Sequence, residues 1–170
     1  MSQADFDLRA LHDAIDERRR MRGLSWAAVT REISRGAAQR PLIAASTISG
    51  LRDATAAEGD GVLQMLLWLG RAPESFIPGF PEVDAACFRL TDPGDGRILR
   101  WDAAAIHSAL DAKRHAAGLT WQDLGREIGG ISPAMLTNLA KGGRVSLPGV
   151  MRIVRWLGQP ATTLTRVSSR

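Results

Sequence analysis

A chain of 170 residues that is 45% apolar is long enough for one ordinary domain or two small ones with packed cores. Its formal charge of +4 is too mild by itself to demand an acidic partner, and its one cysteine, Cys87, excludes an internal disulfide framework and any zinc site built on several cysteines. The opening "MSQADFDLRALHDAIDERRR" is charged throughout and lacks the apolar run of a secretory signal, while "VLQMLLWLG" is too short to cross a bilayer, so a soluble, cytoplasmic protein is expected.

The first expected helix is capped by Asp7, carries Leu8, Leu11 and Ile15 at helical spacing, and stops at Gly23. Ser25 then caps a second short helix that runs to about Ile33. After "SRGAAQRPL", Ser34 to Leu42, a third helix falls in "IAASTISGLRD", and a fourth carries Val62, Met65, Leu66 and Leu69 before closing at Gly70. From about Ile77 helical periodicity ceases in a Pro- and Gly-rich stretch, which reads as a linker with one short strand or turn near "FRLTDPGDGRIL". About twenty such residues, fully extended, reach roughly 65 Å, so the linker need not force its flanks together.

Beyond the linker the pattern is written again. With Gly23 over Gly118, 95 positions on, 12 of the 28 residues from Phe6 to Ile33 are identical to their counterparts, against about two by chance at ordinary composition. The identical set includes Asp7, His12, Asp16, Arg19, Gly23, Leu24 and Trp26. The block Gly61–Gly70 matches Gly149–Gly158, with Trp68 over Trp156, but now 88 positions on. Seven extra residues therefore lie in the first copy at 34–42, where the second has only Gly129 and Gly130. Asp102, the Thr120/Asp123 capping box, and Ser132 followed by Pro133 mark the helix starts of the second copy.

Short helices with polar turns and no alternating strand pattern predict an all-α fold: two tandem four- to five-helix units, residues 1–77 and 100–170, joined by a linker at 78–99. The segment "GLTWQDLGREIGGISPAMLTNLAKG" resembles the XRE (Cro and lambda-repressor-like) helix-turn-helix family, with Gly125 at the small position where two helices cross and Gly129 at the turn. Each copy shows the resemblance over about 65 residues. The second copy departs from the family by one extra turn residue, Gly130, and the first by seven more and by Thr30 at the small position.

The resemblance implies a double-stranded DNA partner, with base-facing positions Ser132, Pro133, Ala134, Thr137 and Asn138 in the second copy and phosphate contacts from Lys141 and Arg144 just beyond. In the first copy it implies Ala45, Ser46, Thr47, Ser49 and Arg52. Trp26 and Trp121, with Gln122, open the second helix of each copy, where the family reaches for phosphate. The two tryptophans also suit packing against their own first helix, and that is the reading favoured for them.

Charge separates the copies: residues 1–80 are neutral, with 10 basic and 10 acidic side chains, whereas residues 98–170 carry a net +6. The second copy is thus the better-equipped phosphate binder. The expected function is a bacterial, nucleoid-associated transcription regulator with tandem DNA-binding units. The alternative is an interaction or dimerisation module whose first copy has lost DNA binding. An enzyme is not expected, because no glycine-rich phosphate loop, metal cluster or base-paired nucleophile is in view. No cofactor, metal or small-molecule ligand is called for, and homodimerisation is left open.

Overall fold

The computed structural model describes residues 4–34, 42–81 and 85–169, so the expected turn insertion at 34–42 lies, but for Ser34 and Leu42, outside the described residues. The first copy contains α1 (Leu8–Met21), α2 (Trp26–Ile33), α3 (Ala45–Gly50), a two-residue strand β1 (Ala57–Glu58), α4 (Gly59–Leu69) and a 3-10 turn at Pro73–Phe76. The short helix α5 (Ala85–Phe88) and strand β2 (Arg97–Trp101) lead into the second. There follow α6 (Ala103–Ala116), α7 (Trp121–Ile128), α8 (Pro133–Ala140), strand β3 (Ser146–Leu147), α9 (Gly149–Leu157), a 3-10 turn at Ala161–Leu164 and strand β4 (Thr165–Ser169).

The helix starts are set by side chains that accept otherwise orphaned backbone N–H groups. Asp7 accepts from the Ala10 N–H and Asp102 from the Ala105 N–H, each at 2.9 Å. Ser25 caps α2 through the Ala28 N–H, and Thr120 and Asp123 form a reciprocal capping box on α7. Ser132 caps α8 with Pro133 at its first position. By contrast α3 has Ala44 at its cap with no side-chain bond, contains β-branched Thr47 and Ile48, and ends on Gly50, so it is only six residues long. Gly23 and Gly118 end α1 and α6 at φ of +62° and +66°, a conformation that lets Leu24 and Leu119 turn back and donate to the Arg19 and Arg114 carbonyls.

The all-α expectation needs correction: the fold is mostly helical, with two small antiparallel sheets. β1 pairs with β3, and β2 pairs with β4 in the register Arg97↔Ser169 to Trp101↔Thr165. Two-residue strands are too short to display any alternation, and β4 lies at the end of the chain, where "TRVSS" alternates only one apolar residue. A strand in the stretch near "GRIL" does occur, and it opens α6.

The β1–β3 pair joins the copies. Glu58 lies opposite Ser146, its own counterpart 88 positions on, while Ala57 pairs with Leu147 and the Gly59 N–H donates to the Val145 carbonyl at 2.8 Å. The register is that of a pseudo-twofold axis through the Glu58/Ser146 pair. On either side the chain leading into one copy's first helix is seated on the other copy's last helix. β2 lies on α4, where the Gln64 amide donates to the Leu99 carbonyl at 2.6 Å, the Trp101 N–H donates to Asp60 Oδ1 at 2.9 Å, and the Trp101 indole donates to the Gly59 carbonyl at 3.1 Å. Reciprocally, Arg152 of α9 forks onto Asp5 at 2.7 and 2.5 Å, and Arg155 donates to the Ala4 carbonyl at 2.5 Å. One continuous cluster, running from Phe6, Leu11 and Ile15 through Leu63, Leu66 and Leu99 to Leu147, Ile153 and Val154, forms the core of both copies.

Two carboxyls at this junction titrate in opposite directions. The Arg152 hydrogen bond holds Asp5 below the usual carboxylate range, so its contribution is present above about pH 4 and is lost as pH falls through the lowered value. Burial pushes Glu74 up, so the folded state holds its proton longer than the unfolded state and loses relative stability as pH rises from about 4.5. Glu74→Gln is therefore expected to gain on the wild type as pH rises toward 7; a difference constant between pH 4 and 8 in urea titrations would sink this assignment. A Cβ on Gly59 would stand 2.8 Å from both Trp101 Cδ1 and the Val145 carbonyl. Gly59→Ala should accordingly cost about 1–3 kcal/mol in urea unfolding, whereas Gly50→Ala, with open space around it, should be neutral or stabilising by up to about 1 kcal/mol.

Candidate nucleic-acid interface

The repeated residues build the frame that carries the candidate surface. In the first copy the His12 and Trp26 rings stack with centroids 6.1 Å apart, and the Arg19 guanidinium stands 4.8 Å from the Trp26 centroid. Arg19 also donates to Asp16 at 2.8 Å and to the Leu24 carbonyl at 3.1 Å. The second copy repeats every contact: His107 on Trp121 at 5.0 Å, Arg114 at 4.6 Å, and Arg114 to Asp111 and to the Leu119 carbonyl at 2.6 and 2.7 Å. The Arg114 hydrogen bond also holds the Asp111 carboxyl below its ordinary range. Each lock fixes the first turn of one helix, α2 or α7, against the end of the preceding one by stacking, cation–π attraction and charge-assisted hydrogen bonds.

Trp26 and Trp121 thus pack on their own copy. Their rings are half-buried, and among the described residues neither indole N–H has a protein acceptor. A second repeated lock ties the last helix to the second. Trp68 donates to Glu32 at 2.9 Å beneath Arg18, and Trp156 donates to Glu127 at 3.1 Å beneath Lys113, which also donates to the Trp156 carbonyl.

Upon this frame α7 and α8 meet closely. A Cβ on Gly125 would lie 3.1 Å from the Ile131 carbonyl, which limits the crossing to a small residue. In the first copy the equivalent Thr30 is buried and returns its hydroxyl to the Ala27 carbonyl at 3.0 Å. Ser132, Pro133, Ala134, Thr137, Asn138, Lys141 and Arg144 are all exposed along and just beyond α8. Trp121, Gln122, Pro133 and Thr137 border one open groove of about 900 Å³ together with Arg126. Arg126 went unremarked as a site residue in the sequence, although it is four positions beyond Gln122 on the same helix face and repeats Arg31. It is exposed and pairs with Asp123 at 2.9 Å. The Thr120 hydroxyl and backbone N–H bonded to Asp123 hold that carboxyl below its ordinary range.

Several of these side chains also serve the helix itself. Ser132 is the cap, Thr137 donates to the Pro133 carbonyl at 2.9 Å, and the Asn138 amide donates to the Arg144 carbonyl at 2.6 Å. One amide hydrogen of Asn138 is therefore spent on the turn that aims Arg144, leaving its other hydrogen and its oxygen for an outside partner. In the first copy Ala45, Ser46, Thr47 and Ser49 are exposed on α3 and Arg52 is exposed just beyond it. Ser49 donates to the Ser46 carbonyl at 3.2 Å, and the Arg52 carbonyl accepts from Arg9, which pairs with Asp53 at 3.6 Å.

Among the described residues there is no grouping of His, Cys, Asp and Glu able to hold a metal, and no helix long and apolar enough to cross a membrane. No protein-family model, curated protein or solved structure matches the chain.

The locks and the surface should separate on mutation. Trp121→Ala is expected to lower the unfolding free energy by about 1–3 kcal/mol, while Gln122→Ala, exposed and outside the lock, stays within about 0.5 kcal/mol of wild type. Equal losses in denaturant titrations would mean that the lock does not carry the α6–α7 junction.

Proposed function

We propose that the protein is a sequence-specific DNA-binding transcription regulator of bacterial type, in which two helix-turn-helix-like copies act as a covalent pseudo-dimer and the second copy is the stronger reader. The observation that carries this reading is the exposed row from Ser132 to Arg144, set on a helix whose own core side is buried through Leu136 and Leu139 and lying in the part of the chain that holds a net +6. Small and polar side chains at the front of α8 suit base edges, and Lys141, Arg144 and Arg126 suit phosphates. The close α7–α8 crossing at Gly125 supports a recognition helix projected away from the body. The reciprocal packing of the copies supports binding to two half-sites about 34 Å apart rather than independent binding by each copy.

A second reading has its own support for the first copy alone. The helix α3 is short and uncapped, and Asp53 sits beside Arg52 at its end, so this surface offers little to phosphate. The first copy then serves to hold the second in place or to meet a protein partner.

Selection of bound fragments from genomic DNA, followed by salt titration on the full chain, tests both. Lys141→Ala with Arg144→Ala should weaken binding to all sequences alike and reduce the salt slope by about 2, because each lost phosphate contact removes about 0.9 from it. Ser46→Ala with Arg52→Ala should erase one half of a two-part motif if the first copy reads DNA, and change nothing if it does not. Absence of salt-sensitive binding to any fragment would refute the regulator and leave the interaction module.

A further inference from the structure

Gly149, Arg152 and Trp156 follow one another along one face of α9, and each meets a different part of the α7–α8 unit. A Cβ on Gly149 would stand 2.9 Å from Met135 Cε of α8, and Trp156 donates to Glu127 near the end of α7 at 3.1 Å. Between them the Arg152 guanidinium fills the space that a side chain on Gly130 would take, with Cζ 3.1 Å from the place of its Cβ. This is the turn from which α8 departs. Gly129 and Gly130 have no side chains to hold it, so between the Gly129 N–H, which donates to the Gly125 carbonyl at 3.1 Å, and the cap at Ser132 its support comes from the buried Ile131 and from Arg152.

Arg152 is itself held from the other copy. Its Nε and Nη2 fork onto Asp5 at 2.7 and 2.5 Å, which leaves Nη1 as the corner against Gly130. The segment that carries Asp5 is pinned on both sides: Arg155 donates to the Ala4 carbonyl at 2.5 Å, Phe6 is buried against Phe76, and the Asp7 N–H donates to the Phe76 carbonyl at 2.9 Å. A guanidinium is planar and rigid, so fixing one edge fixes the other. The first copy is built otherwise. Gln64 stands at the Arg152 position and donates to the Asp60 and Leu99 carbonyls, and Arg100 stands at the Asp5 position.

We propose that Asp5 is a positioning residue for α8: by fixing one edge of the Arg152 guanidinium it holds the other against the Gly129–Gly130 turn, so that the aim of the second copy's exposed helix depends on the seating of the first copy's N-terminal segment. The consequence for DNA rests on the reading of α8 as a DNA reader; the consequence for the turn does not.

Amide hydrogen exchange, followed by NMR on the full chain without DNA, reads the turn directly. Asp5→Asn alters a side chain that is 41% exposed and leaves the core intact. In this variant the amides of Gly129, Met135 and Leu136, which donate to the Gly125 carbonyl, the Ser132 hydroxyl and the Ser132 carbonyl, should exchange about three- to fivefold faster, as expected on losing a bidentate but partly exposed ion pair. The Leu24 and Ala28 amides of the first copy should keep their rates. Asp5→Glu should restore protection, whereas Arg152→Lys, which keeps the charge beside Asp5 but has no second edge, should exchange as fast as Asp5→Asn. Genomic fragments that the wild type binds should bind Asp5→Asn about three- to fivefold more weakly, although loss of a negative charge by itself strengthens binding to a polyanion. The proposal is overturned if the three amides keep their rates in Asp5→Asn, if the first-copy amides accelerate equally, if Arg152→Lys retains wild-type protection, or if fragment affinity is unchanged or raised. Should the wild type bind no fragment, the regulator reading fails and the exchange rates alone decide the role of Asp5.

Discussion

Everything in this fold depends on the exchange across the Glu58/Ser146 pair. Two copies of a short helical unit meet face to face about that point, and each lends the other the strand or extended segment that precedes its first helix. Such a contact is isologous in a dimer; here it is made within one chain, so the effective concentration of one half at the other is set by the connection between them. The pairing is also selective. Asp5 and Arg100 occupy equivalent positions 95 residues apart yet carry opposite charge, and each meets its complement on the other copy: Arg152 on α9 for Asp5, Asp60 on α4 for Arg100 at 3.3 Å. Swapping either segment onto the wrong helix would set like charge against like, which disfavours pairing of a copy with another of its own kind.

What could be read directly from the chain was local. A capping side chain, a stopping glycine and a helical row of apolar residues each act over four or five positions, and Asp7, Ser25, Thr120, Ser132, Gly70 and Gly158 do in the structure what those residue types do anywhere. The repeated tryptophans were legible as a repeat but not in their roles, because the partners that decide the matter, His12 and Arg19 or His107 and Arg114, lie on a different helix. A short strand or turn near "GRIL" was legible, but the sheet pairings were not. β1 and β3 are two residues long and pair across about ninety positions of chain, a distance at which no periodicity carries information. Arg97–Trp101 was embedded in a Pro- and Gly-rich stretch whose composition speaks for a tether, and only its seat on α4 makes it part of the core.

The division between identical and differing positions follows the same physics. Of the identical residues, Asp7, His12, Asp16, Arg19, Leu24, Trp26 and Glu32 all serve caps or locks inside a copy, where the geometry is the same twice and so are the requirements. The copies diverge where each faces something different. On the inter-copy face Gln64 stands for Arg152, matched to a carbonyl in one case and a carboxylate in the other. On the outward helices "ASTISG" stands for "PAMLTNLA", and there the core takes Ile48 from the one and Leu136, Leu139 and the half-buried Met135 from the other. In the turn before α8 both Gly129 and Gly130 have positive φ, +77° and +67°, and at Gly130 a Cβ would also run into the Arg152 guanidinium that anchors Asp5.

A consequence for recognition follows from this asymmetry, on the proposed reading. A homodimer with this contact would present two identical helices and ask for a palindrome. The covalent pair keeps the symmetry of the frame but not of the readers: α8 is capped, eight residues long and backed by Lys141 and Arg144, whereas α3 is uncapped, six residues long and backed by Arg52 beside Asp53. Phosphate attraction would therefore be concentrated at one half-site while the spacing to the other stays fixed by the Glu58/Ser146 junction. The matching target is a pair of unlike half-sites at a set separation, the strong one read by α8 and the weak one discriminated chiefly through distance and orientation.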